Sequence, residues 1–318
     1  MKPFHPCLCV AVFVLSVGWN RLGAQSAFEV LQMAGGSRSV SLGNAVSAET
    51  GSIEGALHNP ATLGSFQSDF EIMGAFNPFL SATMAHAVLA KRLGSLTLAI
   101  SGIGLFYEPI QGYVSYSGDA GQSLAAGDFV LGLSGAWSPG NLFKLPFLLD
   151  LGLTLRYAHQ ILDKDYLSAL VGDAGLILGF RNLLGEDGLS FGIHGKNLGL
   201  ALAGPAGLSP PFALSAGASY HVRPKKFFLT LKILADVSSD LRESFWMNVG
   251  AGFEFFKLFS LRAGYSFGND ARGPSVGAGA RLPLGAATFV LDYALVPLGT
   301  LGVQQSLQIG AEFQTKKR

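Results

Sequence analysis

The sequence predicts an all-β fold, a transmembrane antiparallel β-barrel of about 14 strands with an N-terminal hatch plugging its lumen. Three observations lead there. Hydrophobic residues make up 49% of the 318 positions but charged residues only 14%, where soluble domains average about 25%. Beyond residue 24 there is no apolar run of the roughly 20 residues that a bilayer-spanning helix needs. The hydrophobicity alternates instead: Leu149, Leu151, Leu153, Leu155 and Tyr157 take every second place, with Asp150, Gly152, Thr154 and Arg156 between them. Successive side chains of a strand point to opposite faces, so this stretch has an apolar wall and a polar wall. In a soluble sandwich the apolar wall would pack on a core. In a transmembrane barrel it meets lipid and the polar wall faces the lumen, and a surface this poor in charge favours the second arrangement.

Residues 1–24 read as a signal peptide. Lys2 and His5 precede an apolar run from Cys7 to Val17, and Leu22-Gly23-Ala24 leads to cleavage at Ala24-Gln25. The run is too short for a membrane anchor. Both cysteines, Cys7 and Cys9, fall inside it, so the exported chain is expected to have no disulfide, thiol nucleophile or thiolate metal site. A net charge of +1 and a pI near 7.8 argue against nucleic acid as a partner. An exported, cysteine-free, glycine-rich chain is expected in the bacterial outer membrane. There its partners would be outer-membrane lipid and, during biogenesis, the barrel-assembly machinery.

Residues 25–68 are irregular and rich in Gly, Ser, Ala and Asn. A short helix is expected over Ala27 to Met33, ended by Gly35-Gly36. Thr50 is placed to cap a second one that stops before Asn59-Pro60, because the residue before proline avoids helical geometry. The zone is too polar for lipid and too short to be a robust domain of its own. A barrel of about 14 strands is wider than the eight-stranded barrels that side chains alone fill. The zone is therefore expected inside the barrel, as a hatch, with Leu31, Met33, Leu42, Val46, Ile53 and Leu57 lining an apolar pocket.

From 69 to 318 strands follow one another. They are expected at Phe70 to Phe76, Ser81 to Ala90, Ser95 to Tyr107, Asp128 to Ser138, Leu148 to His159, Ser168 to Phe180 and Gly188 to Asn197. The second half continues with Phe212 to Val222, Phe227 to Val237, Phe245 to Phe256, Leu258 to Phe267, Ser275 to Leu282, Ala286 to Val296 and Gln305 to Gln314. Each approaches the roughly 10 residues needed to cross at a tilt. Connections after even-numbered strands are mostly tight and those after odd-numbered strands mostly longer, as periplasmic turns and external loops are. Ser138 to Phe147 breaks this rule.

Alternation also predicts the lumen wall: Asp150, Arg156, Ser190, Gly192, His194, Lys196, Thr230, Lys232, Asp236, Asn248, Glu254, Ser260, Arg262, Arg281, Asp292, Ser306, Gln308 and Glu312. The charges are of both signs, whereas an ion-selective pore favours a ring of one sign. Ion pairs and hydrogen bonds bracing a plugged lumen fit better. Gly264-Tyr265-Ser266-Phe267-Gly268 matches the nucleophile-elbow spacing, but that motif needs a strand, a sharp turn and a helix, and here an alternating strand carries it. The six histidines show no metal-ligand spacing. No enzymatic activity, cofactor or metal is expected.

Two segments carry a family resemblance. Met33-Ala34-Gly35-Gly36 through Asn59-Pro60-Ala61-Thr62-Leu63 resembles the N-terminal signature of the FadL/PorV superfamily, with Thr62 where glycine is usual. Leu291-Asp292-Tyr293-Ala294 through Pro297-Leu298-Gly299-Thr300-Leu301-Gly302 resembles its C-terminal segment, and Lys196-Asn197-Leu198-Gly199 is similar to another stretch of that group. The likeness spans nearly the whole exported chain and is nearest to FadL-like proteins of spirochaetes. It implies a 14-stranded barrel with an N-terminal hatch and passive uptake of hydrophobic molecules such as long-chain fatty acids. Gly35, Gly36, Asn59, Pro60 and Ala61 would form the gate. Arg156, Lys232 and Arg262, with Leu57 and Ile53, are candidates for contacting ligand in the lumen. Gly102 and Gly104 mark a candidate bent strand for a sideways opening, and Leu198 to Pro211 a candidate collecting loop. The short connection at Ile161 to Tyr166 departs from the FadL pattern. A PorV-like partner-binding barrel of a secretion system and a general diffusion porin are the alternative functions.

Overall fold

The computed structural model describes residues 25–314 apart from 34, 109, 115–118, 144, 182–186, 206–207, 225–227, 241–244, 269–272 and 300–301. The signal-peptide reading of residues 1–24 falls outside the described residues. From Phe70 onward the chain forms one closed antiparallel barrel of 14 strands. They are β1 (Phe70–Phe79), β2 (Ala82–Leu93), β3 (Leu96–Tyr107), β4 (Ala126–Trp137), β5 (Leu148–Leu162), β6 (Asp165–Arg181) and β7 (Asp187–Ala203). Then follow β8 (Ala213–Val222), β9 (Leu229–Asp240), β10 (Phe245–Phe255), β11 (Phe259–Phe267), β12 (Pro274–Leu284), β13 (Ala287–Pro297) and β14 (Val303–Phe313). Each strand pairs with its neighbours in sequence, and β14 closes on β1 from Phe313↔Phe70 to Leu307↔Phe76. Closure leaves no edge with unpaired backbone groups, the condition for a sheet in lipid.

The alternation resolves as a lipid-facing wall. On β5 Leu153, Leu155 and Tyr157 are exposed while Asp150, Thr154 and Arg156 are buried. Aromatic pairs gather at both rims. Phe70 with Phe313, Trp137 with Phe143, Phe147 with Phe180 and Phe228 with Phe256 ring the end that holds the tight turns. Phe106 with Phe129, His159 with Tyr157 and Tyr166, and Tyr265 with Phe267 ring the other. An apolar belt between two aromatic girdles is the signature of a barrel that crosses a bilayer. No helix among the described residues is long and apolar enough to cross one.

Strand ends depart furthest from expectation in one region. β5, β6 and β7 run to 15, 17 and 17 residues. β7 continues six residues past Asn197, through Ala203, so the expected collecting loop begins as strand. A bulge between Gly195 and Leu198, with Asn197 at φ 60°, resets its register on β6. Leu198, Leu200 and Leu202 are exposed on this extension, which pairs with β6 only. The turn between β5 and β6 is two residues, Asp163 and Lys164, as short as the sequence implied. The long connection after β3 carries a hairpin of Ile110–Val114 and Asp119–Leu124, and Pro139–Leu142 forms a helical turn after β4.

Residues 27–66 lie against the inward faces of strands around the barrel. They fold as short helices, Val30–Met33 and Ser37–Ser41, and two 3-10 turns, Ile53–Ala56 and Pro60–Ser65. Ser52, not Thr50, precedes the first 3-10 turn, because Gly51 at φ 74° breaks the chain direction between them. Asn59-Pro60 starts an element as well as stopping one. The Asn59 side chain accepts a hydrogen bond from Ala61 N at 3.1 Å, and Pro60 occupies the first helical position, the usual N-cap chemistry. Ahead of these elements, Gln25–Ser26 pairs in parallel with Leu208–Ser209.

Candidate functional site

Small residues on the inner wall let the N-terminal segment sit close. A methyl group at Gly152 of β5 would collide with the Pro60-Ala61 backbone, at Gly175 of β6 with the Asn59 amide, and at Gly192 of β7 with Ser47 O. The same amide donates to Ser47 O at 2.6 Å, tying two parts of the segment together. Wall side chains then satisfy backbone groups that would otherwise be orphaned. Arg156 donates to Ala56 O at 3.0 Å, Lys196 to Leu57 O at 3.1 Å and Ser190 to Ala48 O at 2.7 Å. Asp236 accepts from Ser47 N at 2.8 Å, and Gln308 from Ser37 N at 2.8 Å. Gly35 O accepts from Asn77 Nδ2 at 3.2 Å, and a side chain at Gly36 would collide with Gln308 and Glu54. Buried polar groups that are matched in this way define one docked arrangement.

Several charges of the lumen are paired. Glu49 of the segment accepts from Arg38 Nη2 at 2.6 Å and from Lys232 Nζ of β9 at 3.0 Å. Arg156 pairs with Asp173 at 2.5 Å, Arg262 with Asp292 at 2.6 Å, and Arg281 with Glu312. The Glu49 carboxylate raises the Arg38 guanidinium above its ordinary range, against the effect of burial. Burial works against ionisation of Glu49, but Arg38 and Lys232 outweigh it and hold the carboxyl below the usual carboxylate range. Burial pushes Glu54 up, although Ser39 N donates to it at 3.0 Å. Burial drives the His58 imidazole well below its ordinary value, and Lys196, His194, Arg156 and His86 add to the effect.

On the side of the longer connections, a cavity of about 610 Å³ lies over the segment. Met33, Val46 and His58 form part of its floor, and Met84, His194, Lys196, Asp236, Trp246 and Asn248 part of its wall. The lining is mixed, apolar patches between groups able to orient a polar end, which is the usual make-up of a small-molecule site.

Among the residues singled out from sequence, Gly35, Gly36, Asn59, Pro60 and Ala61 all lie where the segment meets itself or the wall. Arg156, Lys232 and Arg262 face inward as expected, each already in an ion pair. Ile53 and Leu57 are buried in the main apolar cluster with Leu31, whereas Leu42 and Val46 belong to a second cluster with Ala45 and Leu234. The six residues expected to line one pocket are therefore divided. Gly102 and Gly104 sit in β3, whose pairing with β2 and β4 runs through both positions without a register shift. Ser266, at the centre of the elbow-like motif, donates to Asn248 Oδ1 at 2.7 Å within the strand pair β10–β11. The sequence reading did not single out Arg38 and Glu49. Their only signal was two charges of opposite sign between Val30 and Ile53, a stretch with no other charge.

The closed barrel of 14 antiparallel strands with its apolar belt defines the class: this is a transmembrane β-barrel of the outer-membrane type in architecture. In structure the chain is similar to the toluene transporter TbuX of Ralstonia pickettii, at 11% identity and a TM-score of 0.57, over 89% of this chain and 99% of that one. It is similar to the toluene transporter TodX of Pseudomonas putida, at 11% identity and a TM-score of 0.57, over 87% and 96% of the two chains. The monoaromatic hydrocarbon channel CymD is likewise similar, at 12% identity and a TM-score of 0.55, over 92% and 100%. No protein-family model and no curated protein sequence matches the chain.

Proposed function

We propose that the protein takes up hydrophobic small molecules across the outer membrane, with residues 25–68 acting as a hatch within the barrel of residues 69–318. The observation that carries this reading is the cavity of about 610 Å³ floored by the N-terminal segment. It offers a bounded apolar and polar surface where a porin would offer an open aqueous bore. The fold shared with two toluene transporters and a hydrocarbon channel supports transport over catalysis. Affinity would come from apolar burial, about 0.8 kcal/mol per methylene. In this reading Gly35, Gly36, Asn59, Pro60 and Ala61 seat the hatch. Arg156, Lys232 and Arg262 hold it or the wall around it, and a ligand carboxylate would have to compete with Asp173, Glu49 and Asp292 for them.

The test is mass spectrometry of molecules retained by the detergent-purified protein, with conductance measured in planar bilayers. Retained hydrophobic ligands are expected, with long-chain fatty acids and monoaromatic hydrocarbons as the two classes to compare. Deleting residues 27–67 is expected to abolish retention and raise conductance. Size-dependent conductance for hydrophilic solutes in the intact protein, indifferent to hydrophobic ligands, would instead make it a general diffusion porin. A stable complex with secretion proteins and no retained ligand would make it a partner-binding barrel.

A further inference from the structure

The lumen along β9, β10 and β11 is built in three levels. At the upper level Asp236, Asn248 and hatch residues Asn44 and Val46 line the large cavity. At the lower level Lys232, Gly252, Glu254, Ser260, Arg262 and hatch residue Arg38 line a second pocket of about 40 Å³ on the side of the tight turns. Between them lies the small apolar cluster of Leu42, Ala45, Val46 and Leu234. The strand period of two fixes this order. On β9 the inward positions run Asp236, Leu234, Lys232, and on β10 they run Asn248, Gly250, Gly252, Glu254.

The middle level owes its fit to glycine. A methyl group at Gly250 would lie 2.7 Å from Leu42 O and 3.1 Å from Leu42 Cβ, and one at Gly264 of β11 would collide with the Leu42-Gly43 backbone. On β10 and β11 the wall has no side chain at this level, so the Leu42-Gly43 backbone lies close against it and Leu42, with its side chain toward Gly252, fills a space between the two pockets. The hatch also meets the wall apolarly in the main cluster, where Leu57 and Leu63 group with Val88 and Val130, but only the Leu42–Leu234 contact lies between the two pockets.

We propose that this four-residue constriction is the selectivity element of the barrel, and that the route of passage runs from the large cavity past Leu42 and Leu234 to the lower pocket. A narrow apolar constriction excludes water and hydrated ions by dewetting. An apolar solute pays no desolvation penalty on entering it, since removing its surface from water is favourable, and it gains contact with the two leucines. The substrate class implied is a compact apolar molecule, or the apolar part of an amphipathic one. The inference rests on the uptake function proposed above and adds its path and filter.

Full-length Leu42→Ala and Leu234→Ala variants are compared with Leu63→Ala, a buried hatch residue in the main apolar cluster, outside the constriction. Heat-modifiable migration confirms an intact barrel in each. The readouts are single-channel conductance, permeation of a small sugar into liposomes and wild-type uptake of toluene. Leu42→Ala and Leu234→Ala are expected to raise conductance and sugar permeation several-fold, and Leu63→Ala to leave both unchanged. A rise with Leu63→Ala alone, or with none of the three, would overturn the route. Toluene uptake by the unaltered protein is read separately, so its absence counts against the function and not the path. A Leu42→Cys variant keeps the test decisive if the alanine variants do not fold. A bulky thiol reagent added to the folded protein should block uptake reversibly, and unchanged uptake after complete labelling would refute the proposal.

Discussion

Replacing Glu49 with glutamine removes one charge from a buried cluster and leaves two cations facing each other. The Glu49 side chain is 3% exposed, and it accepts from Arg38 Nη2 at 2.6 Å, Arg38 Nε at 3.2 Å and Lys232 Nζ at 3.0 Å. Removing one partner of a buried ion pair costs about 3–5 kcal/mol, because the remaining charge stays desolvated. Arg38 and Lys232 retain 24% and 23% exposure, and the water they reach screens part of the repulsion. The lower end applies, about 3 kcal/mol, roughly a 150-fold rise in the population of the undocked hatch. Hydrogen exchange read by mass spectrometry measures that population through the hatch amides, among them Ser47 N and Gly51 N, bonded to Asp236 and to Thr62 O. Barrel amides serve as the internal reference. Adding Lys232→Met to Glu49→Gln should recover part of the loss, since it removes one stranded cation. If exchange of the hatch rises by less than about fivefold, equivalent to about 1 kcal/mol, the cluster does not hold the hatch and the reasoning fails.

Three further outcomes follow from the same contacts. Arg156→Met leaves Asp173 buried with only Asn197 N donating to it, at 2.7 Å, and should lower the unfolding stability by about 3–5 kcal/mol in denaturant titrations. Gly152→Ala should displace the Pro60-Ala61 turn, since the added methyl group has no room; a cost of about 1–3 kcal/mol is expected, seen as faster exchange at Ala61 N while the barrel keeps its heat-modifiable mobility. Acidification from pH 7 toward 5 should loosen the docked hatch through His58, which is packed near Lys196, His194, Arg156 and His86. Its docked pKa lies below the ordinary 6.5, so stability is full above 6.5 and is lost as pH falls toward the docked value. Glu54, pushed above its ordinary 4.5, acts in the opposite sense by losing stability as pH rises above 4.5. His58→Asn should therefore flatten or invert the pH dependence of hatch exchange, and an unchanged profile would exclude His58 as its source.

The barrel was legible because lipid and lumen make opposite demands on adjacent residues. Leu153 and Thr154 differ by one position and by the whole width of the wall. That signal fails where the period is interrupted. At Asn197 a left-handed residue and a bulge reset the phase, so the strand seemed to end there although Leu198 to Ala203 continue it. The N-terminal segment has no period at all. Its conformation is set by groups distant in sequence, such as Gln308 binding Ser37 N and Asp236 binding Ser47 N. Asn59-Pro60 was visible as a boundary, but which glycine it docks on was not. Gly152 and Gly175 look like any other small residues in a strand until the turn is laid against them.

Two kinds of opening are possible for such a lumen, and the contacts rank them. Release of the whole N-terminal segment would break the Glu49–Lys232 pair, the Arg156 and Lys196 bonds to Ala56 O and Leu57 O, and the Asn59 seat, while Arg38 and Glu49 leave together. Each of the bonds made by Lys232, Arg156 and Lys196 to the segment, involving a charged group, contributes about 1.5–3 kcal/mol. Turning the Leu42 side chain aside breaks no hydrogen bond, and forcing it off its preferred rotamer costs about 0.5–1.5 kcal/mol. The second motion is cheaper by more than the 1.4 kcal/mol that corresponds to a factor of about ten in population. The two are separable by experiment, because release exposes hatch amides to exchange and a rotamer change does not. A Leu42→Ala protein that conducts freely while Ser47 N and Gly51 N stay protected would show a fixed backbone frame with a side-chain gate. Conductance that rises only in step with amide exchange would show that the hatch itself must leave.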